Sequence, residues 1–185
     1  MKQLWAVASL AMLAAAPSWA QGTSNPQQLN NEDKQFISKV ENGNLAEAAL
    51  GQLAQQKAAD PAVKEFGRWM ATDHALANKQ LMAVAKDANY QHQPALTEKD
   101  KALEQQLQPL SGAQFDEQYM KGMVQDHQQT IALFQAEAQS GQYQQLKTYA
   151  QNLLPVLQQH LAEAQELAGH TGAVGSSTPP KTRNR

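Results

Sequence analysis

The segment DPAVKEFGRWMATDHALANKQLMAV, residues 60–84, decides the fold. Asp60 is suited to cap a helix and Pro61 to its first turn. Beyond them Val63, Phe66, Met70, His74, Ala77, Leu81 and Val84 recur at steps of three and four, the spacing of one helix face. The pattern fades near Asn89-Tyr90. Upstream, Asn31-Glu32-Asp33 supplies a cap and acids for another helix start. Phe36, Val40, Gly43, Glu47, Leu50 and Ala54 mark its inner face, Gly43-Asn44 predicts a kink or break, and Lys57 to Asp60 closes it. So short a turn makes the two helices antiparallel neighbours.

Downstream, residues 91–113 form the longest connection, and Thr97–Leu107 within it reads as a short helix capped by Thr97. A third long helix carries Phe115, Tyr119, Met123, His127, Ile131, Phe134 and Ala138. Ser140-Gly141 makes a turn. A fourth carries Leu146, Tyr149, Leu153, Leu157, His160, Ala164 and Leu167. Pro155 predicts a bend in it, since proline lacks an N–H and clashes with the preceding turn, and Gly169 predicts its stop. The expected fold is all-α: an antiparallel four-helix bundle over residues 31–169, two hairpins joined by a crossover that contains a short helix.

Leu4 to Ala16 is almost wholly apolar, follows a basic start, and precedes Ser18-Trp19-Ala20, with small residues where a signal peptidase needs them. Residues 1–20 are therefore expected to be a secretory signal peptide and the chain to be exported. That run is short for a membrane span and no other long apolar run exists, so no transmembrane helix is expected. Residues 21–30 read as a flexible lead and 170–185 as a disordered tail. With no cysteine, the fold must stand on its core. A net charge of −2 with interspersed signs gives no electrostatic case for nucleic acid.

Glu47, His74, His127 and His160 each occupy an apolar step of a different helix. Such residues are rarely buried unless paired or bound to a metal, and bundles build metal sites from side chains on facing helices. Imidazoles with one carboxylate suit Zn, Cu, Fe or Ni. Counted from their turns, Glu47, His74 and His127 stand near one level, whereas His160 is expected roughly 7 Å off it. Asp73 and Asp126 lie beside the stripe, so each is expected to orient a histidine of another helix. Tyr119 joins this outer set. The other reading is a structural cluster of the same residues that fixes helix register with no metal. His92 and His170 read as ordinary surface residues, and Trp69, Met70, Tyr143 and Tyr149 as packing. No phosphate loop and no Gly-x-Ser-x-Gly occurs. The Glu-x-x-His pairs of di-iron bundles are missing, with Ala71, Val124 and Leu157 three residues before the histidines. An enzymatic role is therefore not expected, and a mononuclear metal enzyme is the weakest alternative.

Asn44-Leu45-Ala46-Glu47, Leu50-Gly51, Val63-Lys64-Glu65-Phe66 and Met70 to His74 resemble a bacterial exported family, domain of unknown function 4142. Ser111 to Asp116, Tyr119, Asp126-His127 and Leu154-Pro155 with His160 extend the resemblance over about Glu32 to Leu167. The resemblance implies a ferritin-like four-helix bundle in the cell envelope, periplasmic or associated with the outer membrane, and no established activity. Two functions stand open on this reading. One is a transition-metal site in the bundle core. The other is a non-catalytic envelope protein whose surface engages a partner.

Overall fold

The structure is a computed structural model that describes residues 28–175. The expected signal peptide and most of the expected lead and tail lie outside the described residues. Among the described residues the chain is all-α, with α1 (Asn31–Lys57), α2 (Pro61–Asp87), α3 (Glu98–Leu107), α4 (Gly112–Ser140) and α5 (Gln144–Gly175), and no strand. No helix among them is long and apolar enough to cross a membrane.

The helix starts follow local chemistry. Asn30 and Asp33 form a reciprocal capping box on α1, Thr97 and Asp100 do the same on α3, and Asp60 caps α2 ahead of Pro61. Two sequence expectations are corrected. α1 runs unbroken through Gly43-Asn44: the Asn44 side chain is engaged across the interface by His74 and does not compete for its own backbone. α5 continues past Gly169 to Gly175, because Thr171 is buried and its hydroxyl donates back to the Leu167 carbonyl. At the other end Leu29, expected in the lead, packs into the core.

α1 packs most closely on α2, and α4 on α5; α2 also meets α5 and α1 meets α4, so the four long helices form a closed ring, with α3 laid against α4 and α1. Buried Asp116 of α4 accepts the Ala59 and Asp60 backbone N–H groups at the α1–α2 turn. The crossover is fastened to α1 by the Asn42 side chain, which accepts from the Ala95 N–H, and by His92. That imidazole stands 2.7 Å from Glu41 and 2.8 Å from the Ser38 hydroxyl. His92 is thus no ordinary surface residue; Glu41 and Ser38 draw it inward.

The apolar core falls into two clusters. One gathers Phe36, Val40, Leu81, Ile131, Phe134 and Leu157. The other gathers Leu50, Phe66, Met70, Tyr119, Met123 and Leu167. Along every long helix the switch from one cluster to the other brackets a buried polar residue: Glu47 in α1, His74 in α2, His127 in α4 and His160 in α5.

α1 and α2 approach closely where Gly51 faces Gly67. A Cβ at Gly51 would stand 2.4 Å from the Gly67 carbonyl oxygen, with backbone on both sides, whereas a Cβ at Gly43 would meet nothing within 4 Å. Gly51→Ala is therefore expected to destabilise the fold by ~1–3 kcal/mol through overpacking. Gly43→Ala is expected to stabilise it by ~0.5–1 kcal/mol through helix propensity. Urea denaturation of the two variants checks both signs.

Candidate metal centre

His74, His127 and His160 come together in the layer between the two apolar clusters. Their ring centroids are 5.6, 5.6 and 5.5 Å apart, a nearly equilateral triangle. One ring nitrogen from each lies within 4.8 Å of the other two, and all three residues are buried. A metal held at ~2.0–2.1 Å from each nitrogen needs them somewhat closer, a rotation of each ring by a fraction of its length.

Each imidazole is held from behind. His127 Nδ1 is 3.0 Å from the Met123 carbonyl oxygen. His160 Nε2 is 3.0 Å from Asp73 Oδ2, and His74 Nδ1 is 3.0 Å from Asn44 Oδ1. A backbone carbonyl and a carboxylate only accept, so the nitrogens facing them carry the protons. The opposite nitrogens, His74 Nε2, His127 Nε2 and His160 Nδ1, are buried and have no partner. Burial lowers the pKa of all three rings, that of His127 to about 4; the neighbouring imidazoles add to the effect on His74 and His127, while Asp73 partly opposes it for His160. At neutral pH the site therefore presents three uncharged imidazoles, each with one buried ring nitrogen that has no hydrogen-bond partner.

Two expectations are corrected here. His160 belongs with the other two histidines. It lies sixteen residues into α5 from Gln144, and His127 lies thirteen before the end of α4 at Ser140, an offset of only ~4.5 Å. Side chains lean toward their own helix N-terminus, about one residue position each, so in antiparallel α4 and α5 the two rings lean toward each other and close most of that gap. Glu47, conversely, does not stand among the three nitrogens. Its Oε1 lies 3.7 Å from His127 Nδ1, the side that bonds to Met123. Burial, reinforced by the charge of the nearby Asp126 carboxylate, holds its carboxyl well above the usual range. With His127 uncharged at neutral pH, this is a contact and not an ion pair.

The flanking residues divide. Asp73 of α2 orients His160 of α5, the cross-helix arrangement expected of it. Asp126 makes no hydrogen bond to a histidine nitrogen; it pairs with Lys99 of α3 and lies near enough to Glu47 for the two carboxyls to perturb each other. Burial raises its pKa, but Glu47 and Lys99 outweigh burial and hold it below the usual value. Tyr119 stacks on Phe115 at 5.5 Å, and its buried hydroxyl has no partner. Sequence reasoning missed Asn44, although it sits three residues before Glu47, where it shares the same helix face. Beside His74 and His160 lies a cavity of about 30 Å³, bounded by Asn44, Asp73, Ala77, Phe134, Leu153, Val156 and Leu157.

The family model described as "Domain of unknown function (DUF4142)" matches residues 18–167. No curated protein and no solved structure matches the chain.

Two opposing pH dependences follow from the buried groups. The folded-state pKa of Glu47 is raised, so its contribution is fully present below the unfolded value of 4.5 and is lost as pH rises. Glu47→Gln keeps the size and polarity of the side chain without the ionisation. It is expected to match the wild-type melting temperature at pH 4 and exceed it at pH 8. The imidazoles have depressed values, so their contribution is complete above 6.5 and is lost as pH falls toward about 4. Melting of the metal-free chain across this range is expected to show that acid loss.

Proposed function

The chain belongs to the family described as Domain of unknown function (DUF4142), and from that premise we propose that its core is a transition-metal site held by His74, His127 and His160. The observation that supports the reading is a group of three buried histidines whose ring nitrogens come within 4.8 Å of one another, each ring carrying one nitrogen without a hydrogen-bond partner. Leaving a buried polar atom unpaired costs ~1–3 kcal/mol. A cation held by the three rings removes that penalty. Neutral imidazoles need no proton release on binding, and their outer partners hold them in the tautomer that a metal requires. This donor set takes Zn, Cu, Fe or Ni in preference to Mg or Ca. Glu47, Asp126 and Tyr119 support the site from outside it and are not ligands. A purely structural cluster is the weaker reading, because such a cluster would pair the nitrogens that here have no partner.

Around this site the proposed architecture is a single exported domain over residues 31–169, an antiparallel four-helix bundle of ferritin-like kind in the periplasm or at the outer membrane. The long apolar stretch ahead of Ser18-Trp19-Ala20 supports export. The order hairpin, crossover, hairpin supports the bundle type.

Reconstitution of the full chain, without affinity histidines, with each of Zn, Cu, Fe and Ni tests the reading by elemental analysis. About one ion per chain is expected for at least one metal; a content far below one for all four overturns it. His74→Ala is expected to abolish binding while retaining helical circular dichroism. Asn44→Ala and Asp73→Ala are expected to weaken affinity by ~10–100-fold, the usual effect of removing an orienting partner. His92→Ala is expected to leave it unchanged.

A further inference from the structure

We infer that Ser38, His92 and Glu41 form a second site, a nucleophilic triad that takes the acyl group of small uncharged esters. The site lies where the crossover meets α1, apart from the three buried histidines, and does not depend on the metal reading.

Two hydrogen bonds set its geometry. His92 Nδ1 is 2.7 Å from Glu41 Oε2, and His92 Nε2 is 2.8 Å from Ser38 Oγ. A carboxylate oxygen only accepts, so Nδ1 carries the ring proton and Nε2 is left bare. The Ser38 hydroxyl therefore donates to Nε2. Nucleophile, base and orienting carboxylate stand in the order, and through the ring atoms, by which such a triad is recognised on unrelated folds. Other hydroxyls within the helices bond their own backbone: those of Thr72, Thr148 and Thr171 donate to the carbonyl four residues back. Ser38 faces the imidazole instead. Ser38 and Glu41 are three residues apart on α1, so one helix face presents both. Glu41 is buried, while His92 and Ser38 keep part of their surface in solvent. Fastening the crossover does not need the hydroxyl, because Glu41 with His92 and Asn42 with Ala95 already hold it.

Ser38 Oγ attacks the ester carbonyl carbon and passes its proton to His92 Nε2, while Glu41 faces the charge that forms on the ring. The bond to the leaving oxygen breaks, that oxygen takes the proton from Nε2, and the acyl group stays on Ser38. Water then gives a proton to Nε2 and attacks the acyl carbon; the acid departs, and Ser38 Oγ recovers a proton from the ring. Asn42 lies one turn beyond Ser38 on α1, and its Oδ1 is taken by the Ala95 N–H. Its amide N–H end is the one left to donate to the carbonyl oxygen as that atom gains charge. His92, with Met82, Ala85, Tyr90 and Gln91, lines an open groove of about 570 Å³. The imidazole that protonates the leaving oxygen thus borders a largely apolar wall, which suits an apolar alcohol or phenol as leaving group.

Diisopropyl fluorophosphate on the metal-free full chain tests the nucleophile, because it is uncharged and forms a stable bond from serine Oγ to phosphorus with loss of fluoride. One adduct per chain is expected, located at Ser38 by peptide mapping. His92→Ala is expected to slow labelling by ~10²–10⁴-fold, with free imidazole restoring part of the rate. Glu41→Gln is expected to lower the maximal labelling rate and leave the half-saturating reagent concentration unchanged, as a positioning residue should. Para-nitrophenyl acetate is expected to acetylate the same serine and to turn over. Ser38→Ala removes a single oxygen, is expected to keep the helical circular dichroism, and is expected to abolish both reactions. Absence of an adduct at Ser38 overturns the triad, as does labelling that His92→Ala leaves at full rate. A slowing in His92→Ala that imidazole does not relieve overturns His92 as the base, and an adduct without acetate turnover overturns the ester as substrate.

Discussion

Three imidazoles buried at one level, between two apolar clusters, set the terms for the rest of the molecule. Interiors tolerate polar groups only where hydrogen bonds or ions replace lost water. Here each ring receives one such replacement, from Met123, Asp73 or Asn44, and its second nitrogen receives none. Every long helix contributes to meeting that demand. α2, α4 and α5 bring the rings, and α1 brings Asn44 for one ring and Glu47 to lie against another. A polar layer that needs all four helices ties their registers together, because sliding any one by a turn would strand a donor or an acceptor in apolar surroundings.

The outer residues extend this constraint to the crossover. Lys99 of α3 pairs with Asp126, whose charge acts on nearby Glu47, and Glu47 touches His127. A chain of polar contacts thus leads from a half-exposed lysine to a buried imidazole. His92 and Asn42 bind the start of the crossover to α1, and Lys57 binds its end through the Gln108 and Leu110 carbonyls. The crossover is therefore fixed at both ends and, through Lys99 and Asp126, at its middle. On the opposite flank, between α2 and α5, a small cavity borders His74 and His160, with half-exposed Asp73 in its wall.

The close Gly51–Gly67 approach plays a separate part. It brings α1 and α2 nearer than any Cβ would permit, which sets the distance over which Asn44 can bond His74. A packing feature more than a turn away along the helix thereby bears on the geometry of the polar layer.

Much of this was legible in the sequence because helices are written locally. Caps at Asp60 and at Thr97 declare themselves within four residues, the α1 cap falls on Asn30, one residue before the Asn31 that the sequence suggests, and the steps of three and four through Val63, Met70 and His74 mark which face turns inward. These signals brought three helix starts, the two hairpin turns and the inward histidines within reach before any coordinates. What remained depends on contacts between residues far apart in the chain. Asn44 looks like a helix breaker until His74 stands opposite it, and His92 looks exposed until Glu41 and Ser38 draw it in. Counting along parallel rods misplaced His160, because it ignores the lean of each side chain toward its own N-terminus. Glu47 was legible as buried, but that it lies against the Nδ1 side of His127 was not. The period of a helix determines which residues face inward; only the packed helices decide which atom of each residue meets which partner, because that choice belongs to rotamers and hydrogen bonds across the interface.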